Sequence, residues 1–334
     1  MNQALAALTT TLLAATTLVA GDALNSMPPE ATPQKLVVVV PVDYESQLSG
    51  AAVLAESLRE FGGGLSDTRI RLYMPERLHD AAAALRDRMA PLAVEVFEVH
   101  PPAVASQYIL GAKPFTAARA EADAEGEFDL LAVLAPNTIV LAEPHGFLLP
   151  RNITLGFSPV HHQNIGSRYD EPPDALWSRL YRVLDVPESA VFPIVSLADR
   201  KTLRFYFNAG SFVVRPEAGL LRAWADAFTA LAGDPAVADI CREGKPNVFL
   251  HQAALAGIAV KLLARGDTLQ LPDGYSYPLF FEQFFGGDMT FDSLDGVVTM
   301  RYEFRIEDLP AGWQADVKAP DGVIPWIEEH LAGS

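Results

Sequence analysis

Short apolar runs alternate with amphipathic segments along residues 35–145. The run KLVVVVPVDYE (35–45) is β-branched and almost continuously apolar, which predicts a strand buried on both faces. In the next segment, apolar residues recur at helical spacing from Leu48 to Leu58, and three glycines end the pattern. The alternation continues to the strand and turn FDLLAVLAPNTIVLAEP (128–144). Strand and helix patterns in this order predict an α/β fold with a mainly parallel central sheet flanked by helices.

The second half contains one well-organised stretch, RFYFNAGSFVVRPEAGLLRAWADAFTALAG (204–233). A strand with small residues at its start precedes a helix that repeats Leu221 and Trp224 on one face. The segment NVFLHQAALAGIAVKLL (247–263) predicts a further helix, and Asn247 is a candidate for its N-terminal cap. Since no repeat and no second domain boundary is visible, these elements are expected to belong to the same domain as the first half.

We predict a single domain over residues 34–334, preceded by an N-terminal extension over residues 1–33. The extension begins as a threonine-rich segment that is either a helix or a weak signal-like segment, and it ends in a proline-rich linker. No Lys or Arg precedes Lys35, and the apolar segment is too weak to predict a stable membrane span. A cytoplasmic location is therefore expected, with export through the N-terminal segment as the alternative.

Ligands of parallel α/β sheets bind beyond the carboxyl ends of the strands. This rule places residues 41–45 and 135–137 at the rim of the expected site. The chain has no G-x-G-x-x-G, Walker A or G-x-S-x-G pattern, so the dinucleotide, P-loop and serine-hydrolase classes lack their usual motifs.

The overall charge narrows the possible partners. The chain has 42 acidic and 25 basic residues and a formal net charge of −17, which opposes binding to nucleic acid. Cys241 is the single cysteine of the sequence, so no internal disulfide is possible, and no Cys/His cluster has the spacing of a zinc site. These counts favour an acidic protein with a small-molecule ligand.

Five motifs follow one another in a characteristic order: a first strand ending in Asp43, KPFTAARAEA, APNTIVLAEP, YFNAGSFVVRP and FLHQAALAG. This order resembles the GT-A fold glycosyltransferases, the nucleotide-diphospho-sugar transferase superfamily, over roughly residues 35–305. The resemblance implies a Rossmann-like, GT-A-like domain, a nucleotide-sugar donor and an acceptor still to be identified. Members of this superfamily usually hold a divalent metal such as Mn²⁺ through two acids one residue apart.

The motifs depart from the superfamily where that metal should bind. The two acid positions correspond to Ala135 and Asn137, and the Asp of an Asp-Gln pair corresponds to His251. Alanine has no ligand atom, and a neutral amide gains less from a cation than a carboxylate does. We therefore expect no metal cofactor, with the diphosphate neutralised by basic side chains. The candidates for this role are Lys113, Arg119, Arg168, Arg301 and Arg305. The alternative is a catalytically inactive GT-A-fold protein that binds or acts as a scaffold.

The resemblance also assigns candidate roles to individual residues. Glu143 is a candidate general base, with a solvated glutamate as the alternative. His251 is a candidate titrating group near a sugar hydroxyl, with a helix histidine satisfied by a neighbour as the alternative. The candidate substrate-binding residues are Asp43, Lys113, Asn137, Asn208, Ala209, Gly210, Gln252 and Arg301. The aromatic segment YSYPLFFEQFFGG (275–287) is expected either to cover the cleft as a sugar-stacking lid or to pack beneath a long loop.

Overall fold

A mainly parallel sheet lies at the centre of the protein. The computed structural model describes residues 33–279, 293–302, 312, 314 and 317–331. The strands are β1 Leu36–Pro41, β2 Arg69–Pro75, β3 Val94–Val99, β4 Leu130–Leu134, β5 Thr138–Val140, β6 Leu155–Pro159, β7 Pro193–Val195, β8 Thr202–Arg204, β9 Phe207–Val214, β10 Thr268–Gln270, β11 Tyr277–Pro278 and β12 Thr299–Arg301. The α-helices are α1 Leu48–Phe61, α2 His79–Ala84, α3 Arg86–Met89, α4 Lys113–Ala124, α5 Ala175–Leu184, α6 Leu220–Ala232, α7 Pro235–Ile240, α8 Gly244–Leu262 and α9 Val323–Leu331.

Within these ranges the large sheet has seven strands in the order β10-β6-β9-β4-β1-β2-β3. Its neighbours pair in parallel, except that β9 is antiparallel to both β4 and β6. All six residues of β1 and all eight of β9 are buried, as expected for strands covered on both faces. The fold class predicted from the sequence, an α/β fold with a mainly parallel central sheet flanked by helices, is confirmed.

Helices cover both faces of this sheet and form two apolar layers. One layer packs α4, α5, α6 and α8 around Trp177, Trp224 and Phe228, which are fully buried. The other packs α1 and α2 against β1, β2 and β4. Because helices face the sheet from both sides, the carboxyl ends of its strands remain the open edge on which a site can form.

A smaller sheet continues from that edge. It has the order β11-β12-β5, and β12 runs antiparallel to β5 with Arg301 opposite Thr138. Since β5 begins directly after residues 135–137, this pairing brings β12 from the end of the domain back to the turn after β4. A third core, around Ile139, Met300 and Ile327, joins the small sheet to α9.

Some local expectations need correction. The alanine-rich segment HDAAAALRDRMA (79–90) has the composition of one helix, but it is divided at Leu85 into α2 and α3, because Leu85 has φ −96° and ψ 4°. The prediction of Asn247 as a helix cap is wrong: α8 begins at Gly244 with Glu243 in the N-cap position. Residues 280–287 of the predicted aromatic lid lie outside the described residues.

The described residues from 34 onward form one compact unit. The assignment of residues 1–33 as an extension stays a prediction, because residues 1–32 are outside the described part of the chain. None of the helices in the described ranges combines the length and the apolar character that crossing a bilayer requires.

Candidate functional site

A cavity of about 530 Å³ opens at the carboxyl ends of β1 and β4. The predicted site residues that line it are Asp43, Lys113, Asn137, Asn208, Gly210, His251, Gln252 and Arg301. These residues come from both halves of the chain. The fold thus brings together residues as distant in sequence as Asp43 and Arg301.

The turn after β4 and the start of β9 are joined directly. The backbone N–H of Ala135 donates a hydrogen bond to the carbonyl oxygen of Gly210 at 2.8 Å. A Cβ atom added to Gly210 would stand 3.0 Å from the Ala135 Cβ and 4.0 Å from Nζ of Lys113. The absence of a side chain at Gly210 therefore lets backbone and ammonium group approach the same part of the cavity.

Two side chains hold the start of β9 in place. Asn208 Oδ1 accepts a hydrogen bond from the N–H of Gly210 at 2.9 Å, and Gln252 Oε1 accepts one from the N–H of Ala209 at 3.1 Å. Asn208 Nδ2 donates to Ser276 Oγ at 3.1 Å. These bonds satisfy buried backbone donors where the pairing of β9 with β6 shifts register. Ala209 does not line the cavity. It contributes only its backbone N–H, which donates to Gln252.

Asp43 and Lys113 place a carboxyl and an ammonium group in the buried part of the cavity. Asp43 Oδ1 accepts a hydrogen bond from the N–H of Ala112 at 2.9 Å, just before α4. Burial raises the pKa of the Asp43 carboxyl to about 6, opposed by the charge of Lys113, the N–H groups of residues 112 and 113 and the charge of Arg77. Burial lowers the pKa of the Lys113 ammonium to about 8, with Asp43 raising it and Arg301 lowering it. Lys113 thus remains mainly protonated at pH 7.

Arg301 enters the cavity from the end of β12. The turn fixes this strand through two bonds: Asn137 Nδ2 donates to the carbonyl of Tyr302 at 2.7 Å, and the N–H of Tyr302 donates to the carbonyl of Asn137 at 3.1 Å. Because Arg301 and Lys113 are close enough for the charge of one to lower the pKa of the other, the cavity contains two neighbouring cationic groups.

His251 is a neutral group in this environment. Its Nδ1 lies 2.9 Å from the carbonyl oxygen of Val248, which can only accept, so Nδ1 carries the proton and Nε2 is an acceptor. Burial, and then the charge of Lys113, lower the pKa of the imidazole to about 3, against the bond to Val248. The expectation of a group that titrates near neutral pH is therefore wrong, although His251 lies where it was expected, in the cavity.

The donor set of the cavity does not fit a divalent cation. Ala135 offers no ligand, Asn137 uses its amide N–H toward Tyr302, and Arg301 lies at the same turn. Among the described residues, no group of three or more His, Cys, Asp or Glu side chains is arranged to hold a metal. Asp43 is the single carboxylate among the described lining residues, and it lies beside a lysine. A hard cation prefers several oxygen ligands, which this arrangement does not supply.

Other sequence candidates lie elsewhere. Glu143 does not line the cavity: its carboxylate lies beside Gly63 and Gly64, with an oxygen 3.5 Å from Nε2 of His145. The physical reason is β5, whose three extended residues span roughly 10 Å between the turn and Glu143. Arg119 bonds to Asp123 and Arg168 to Asp170 outside the cavity, and Arg305 is outside the described residues.

Sequence reasoning missed three contributors. Gln47 Oε1 accepts the N–H of Asp43 at 2.7 Å, and Arg77 Nη2 donates to the carbonyl of Asp43 at 2.5 Å, so both fix the end of β1. Phe249 lines the cavity from α8. Its position two residues before His251 was a usable signal, whereas the roles of Gln47 and Arg77 depend on tertiary contacts that no local pattern records.

The sheet order, the antiparallel β9 beside β4 and the cavity at their meeting agree with the GT-A-like domain that the sequence resemblance implied. Residues 36–262 match the Rhodobacterales glycosyltransferase domain, and the chain belongs to that family. No curated protein matches it.

Several solved structures of glycosyltransferases are similar to this chain at low sequence identity. The apo WbbM bifunctional glycosyltransferase is 14% identical, with 82% of this chain and 46% of that chain covered and a TM-score of 0.47. Mouse xyloside xylosyltransferase 1 is 10% identical, with 80% and 98% covered and a TM-score of 0.44. The galactosyltransferase LgtC, in complex with donor and acceptor sugar analogues, is 14% identical, with 84% and 99% covered and a TM-score of 0.43. The chain thus spans less than half of the WbbM chain.

Proposed function

We propose that this protein transfers a sugar from a nucleoside-diphosphate sugar to an acceptor, with Lys113 and Arg301 in place of the usual metal ion. The observation that carries the proposal is the presence of both cations in one cavity, beside the turn where the superfamily has its acid pair. The chain as a whole has a net charge of −17, so two neighbouring cations, Lys113 buried and Arg301 half-buried, mark this cavity as a site for an anion.

The chemistry of sugar transfer requires such cations. As the bond between the anomeric carbon and the β-phosphate oxygen breaks, negative charge grows on the leaving diphosphate. Preorganised positive groups in a partly dehydrated site stabilise that charge without reorganising. The guanidinium of Arg301 presents a planar fork to phosphate oxygens, and Lys113 supplies a compact charge from the buried side.

The remaining lining residues suit the other parts of the donor. Asp43, at the end of β1, retains an oxygen besides the one bonded to Ala112 and is assigned to the nucleoside. Asn208, Gly210 and Gln252 are assigned to the sugar, together with His251 as a neutral acceptor through Nε2. No role is assigned to Glu143.

A thermal-shift panel tests this proposal. The protein is heated with UDP, GDP and their sugars, each in EDTA and in Mn²⁺. The expected result is stabilisation by at least one nucleotide-sugar in EDTA, with no further gain from Mn²⁺, because ligands that bind only the folded state raise its melting temperature. Stabilisation only in Mn²⁺, or by no member of the panel, would contradict the proposal.

Turnover is measured separately. The bound donor is incubated with the protein and analysed by mass spectrometry for released nucleoside diphosphate. Release above the protein-free rate supports transferase chemistry. Binding without release, even when acceptor mixtures are added, would instead support a catalytically inactive sugar-nucleotide-binding protein.

A further inference from the structure

Leu110 adopts a left-handed backbone conformation at the wall of the cavity. Its φ is +59°, and it is the one lining residue among the described non-glycine residues with positive φ. For a bulky L-residue this conformation brings Cβ too close to the backbone and is unfavourable. The neighbouring Gly111 does not take up the left-handed turn, so the strain falls on a residue with a large apolar side chain.

Asn247 holds this strained segment from α8. Its Oδ1 accepts a hydrogen bond from the N–H of Ile109 at 3.0 Å, and its Nδ2 donates to the carbonyl oxygens of Gln107 at 3.0 Å and Cys241 at 3.1 Å. At the other end of the segment, Asp43 accepts the N–H of Ala112 at 2.9 Å. The segment 107–112 is thus fastened on both sides by side chains distant in sequence.

We propose that Leu110 is a specificity-determining residue whose side chain packs on the apolar C–H face of the donor's sugar, and that Asn247 is its positioning residue. This inference rests on the proposed function. Strained backbone persists where the surrounding structure enforces it, and it concentrates at functional sites. A glycine at position 110 would remove the strain, but it would also remove the side chain from the cavity.

Leu110 lines the same cavity as the residues assigned to the sugar, Asn208, Gly210 and Gln252. Lys113, assigned to the diphosphate, is three residues further along and donates its backbone N–H to the carbonyl of Leu110 at 3.3 Å. Phe249, a partly exposed aromatic residue of the cavity, lies two residues before His251 on α8. Leu110 and Phe249 therefore offer apolar surface in the same cavity as the polar groups assigned to the sugar, and ligand sites combine apolar lining with a few placed polar groups in this way.

The first test is the variant Leu110→Gly, which adopts the same backbone conformation without strain. We expect an unchanged or higher melting temperature and an affinity for the nucleotide-sugar about tenfold weaker, while affinity for the nucleoside diphosphate alone changes less than about twofold. Ala93→Gly is the matched control, since Ala93 is also left-handed, with φ +52°, but lies outside the cavity. It is expected to leave both affinities unchanged.

The second test measures the coupling between Asn247 and Leu110. Asn247→Ala is expected to weaken nucleotide-sugar binding about tenfold in the wild-type background but less than about twofold in Leu110→Gly, because only the leucine needs to be positioned. An equal loss in both backgrounds would show a merely structural asparagine and overturn its assigned role.

Two other outcomes overturn the assignment of Leu110. Unchanged nucleotide-sugar affinity in Leu110→Gly shows that the side chain makes no contact, and an equal loss for nucleotide and nucleotide-sugar shows contact with the nucleoside instead. If the wild-type protein binds no nucleotide-sugar, the proposed function fails and this inference fails with it.

Discussion

The backbone N–H of Ala135 donates to the carbonyl oxygen of Gly210 at 2.8 Å, and this bond ties the turn after β4 to the start of β9. The small side chains on both sides allow the close approach, since a Cβ on Gly210 would stand 3.0 Å from that of Ala135. The turn and the start of β9 therefore line one cavity, in which the positions that correspond to the acid pair contain an alanine and an asparagine. The predictions below test what replaces those acids.

Arg301→Ala is expected to weaken nucleotide-sugar binding in EDTA by about tenfold or more. A charge-assisted hydrogen bond to phosphate contributes about 1.5–3 kcal/mol, and 1.4 kcal/mol corresponds to a factor of ten. Isothermal titration calorimetry measures the change. Arg301→Lys keeps the charge without the fork and should retain part of the affinity.

The matched control is Arg242→Ala, which removes an exposed arginine outside the cavity with the same change in net charge. It should leave the affinity unchanged. If Arg242→Ala and Arg301→Ala weaken binding equally, the effect of Arg301 is one of net charge only, and its direct contact with phosphate is ruled out.

Introducing the acid pair should make nucleotide-sugar binding depend on a metal ion. The double variant Ala135→Asp/Asn137→Asp places two carboxylates beside the diphosphate, so metal-free binding should weaken by about tenfold or more through like-charge repulsion. Mn²⁺ should recover part of this loss, since paired carboxylates hold hard cations. Titrations in EDTA and in Mn²⁺ compare the two states, and undiminished binding in EDTA would place the diphosphate elsewhere.

Lys113→Met should raise stability and lower affinity. The pKa of Lys113 is lowered to about 8 in the folded protein, so its charged form is disfavoured there, and this destabilisation is fully present below pH 8 and disappears as pH rises toward 10.5. Removing the charge at pH 7 should therefore increase the free energy of unfolding, by on the order of 1–3 kcal/mol. Urea unfolding at pH 7 checks this, and a large destabilisation would show that the ammonium is structural. Nucleotide-sugar binding to the same variant should be weaker.

Asp43 should also make the stability of the protein depend on pH, but through a pKa that burial raises, whereas burial lowers the pKa of Lys113. Burial raises the pKa of Asp43 from 3.8 to about 6, so the folded protein takes up a proton more readily than the unfolded chain. The stabilisation from this proton is complete below pH 3.8 and is lost as pH rises through 6, amounting to on the order of 3 kcal/mol. Asp43→Asn lacks it, so the stability of the variant relative to wild type should increase from pH 4 to pH 7. Unfolding curves at four pH values test this, and a constant difference would contradict it.

The fold was predictable because its central strands are continuous apolar runs and its helices are amphipathic. The stretch 35–41 is short, apolar and β-branched, which favours a strand buried on both faces, and the spacing from Leu48 to Leu58 favours a helix. The meeting of Ala135 with Gly210 is different: it came from a resemblance, because an antiparallel strand placed between β4 and β6 leaves no periodic trace.

Sequence patterns led to wrong or no expectations for three residues, Glu143, His251 and Leu110, because their positions and surroundings depend on tertiary structure. Glu143 is near the turn in sequence, but β5 pairs with β12 and carries it away. His251 lies in the cavity as expected, but its burial beside Lys113 lowers its pKa to about 3, and burial is a tertiary property. Leu110 gave no signal at all, since leucine next to glycine suggests that the glycine makes the turn.

The most direct test of the central claim is a calorimetric titration of the wild-type protein with its best nucleotide-sugar from the thermal-shift panel, once in EDTA and once in Mn²⁺. If Lys113 and Arg301 neutralise the diphosphate, the two dissociation constants should agree within about twofold. Binding that appears only with Mn²⁺ would contradict the account and return the site to metal-dependent chemistry.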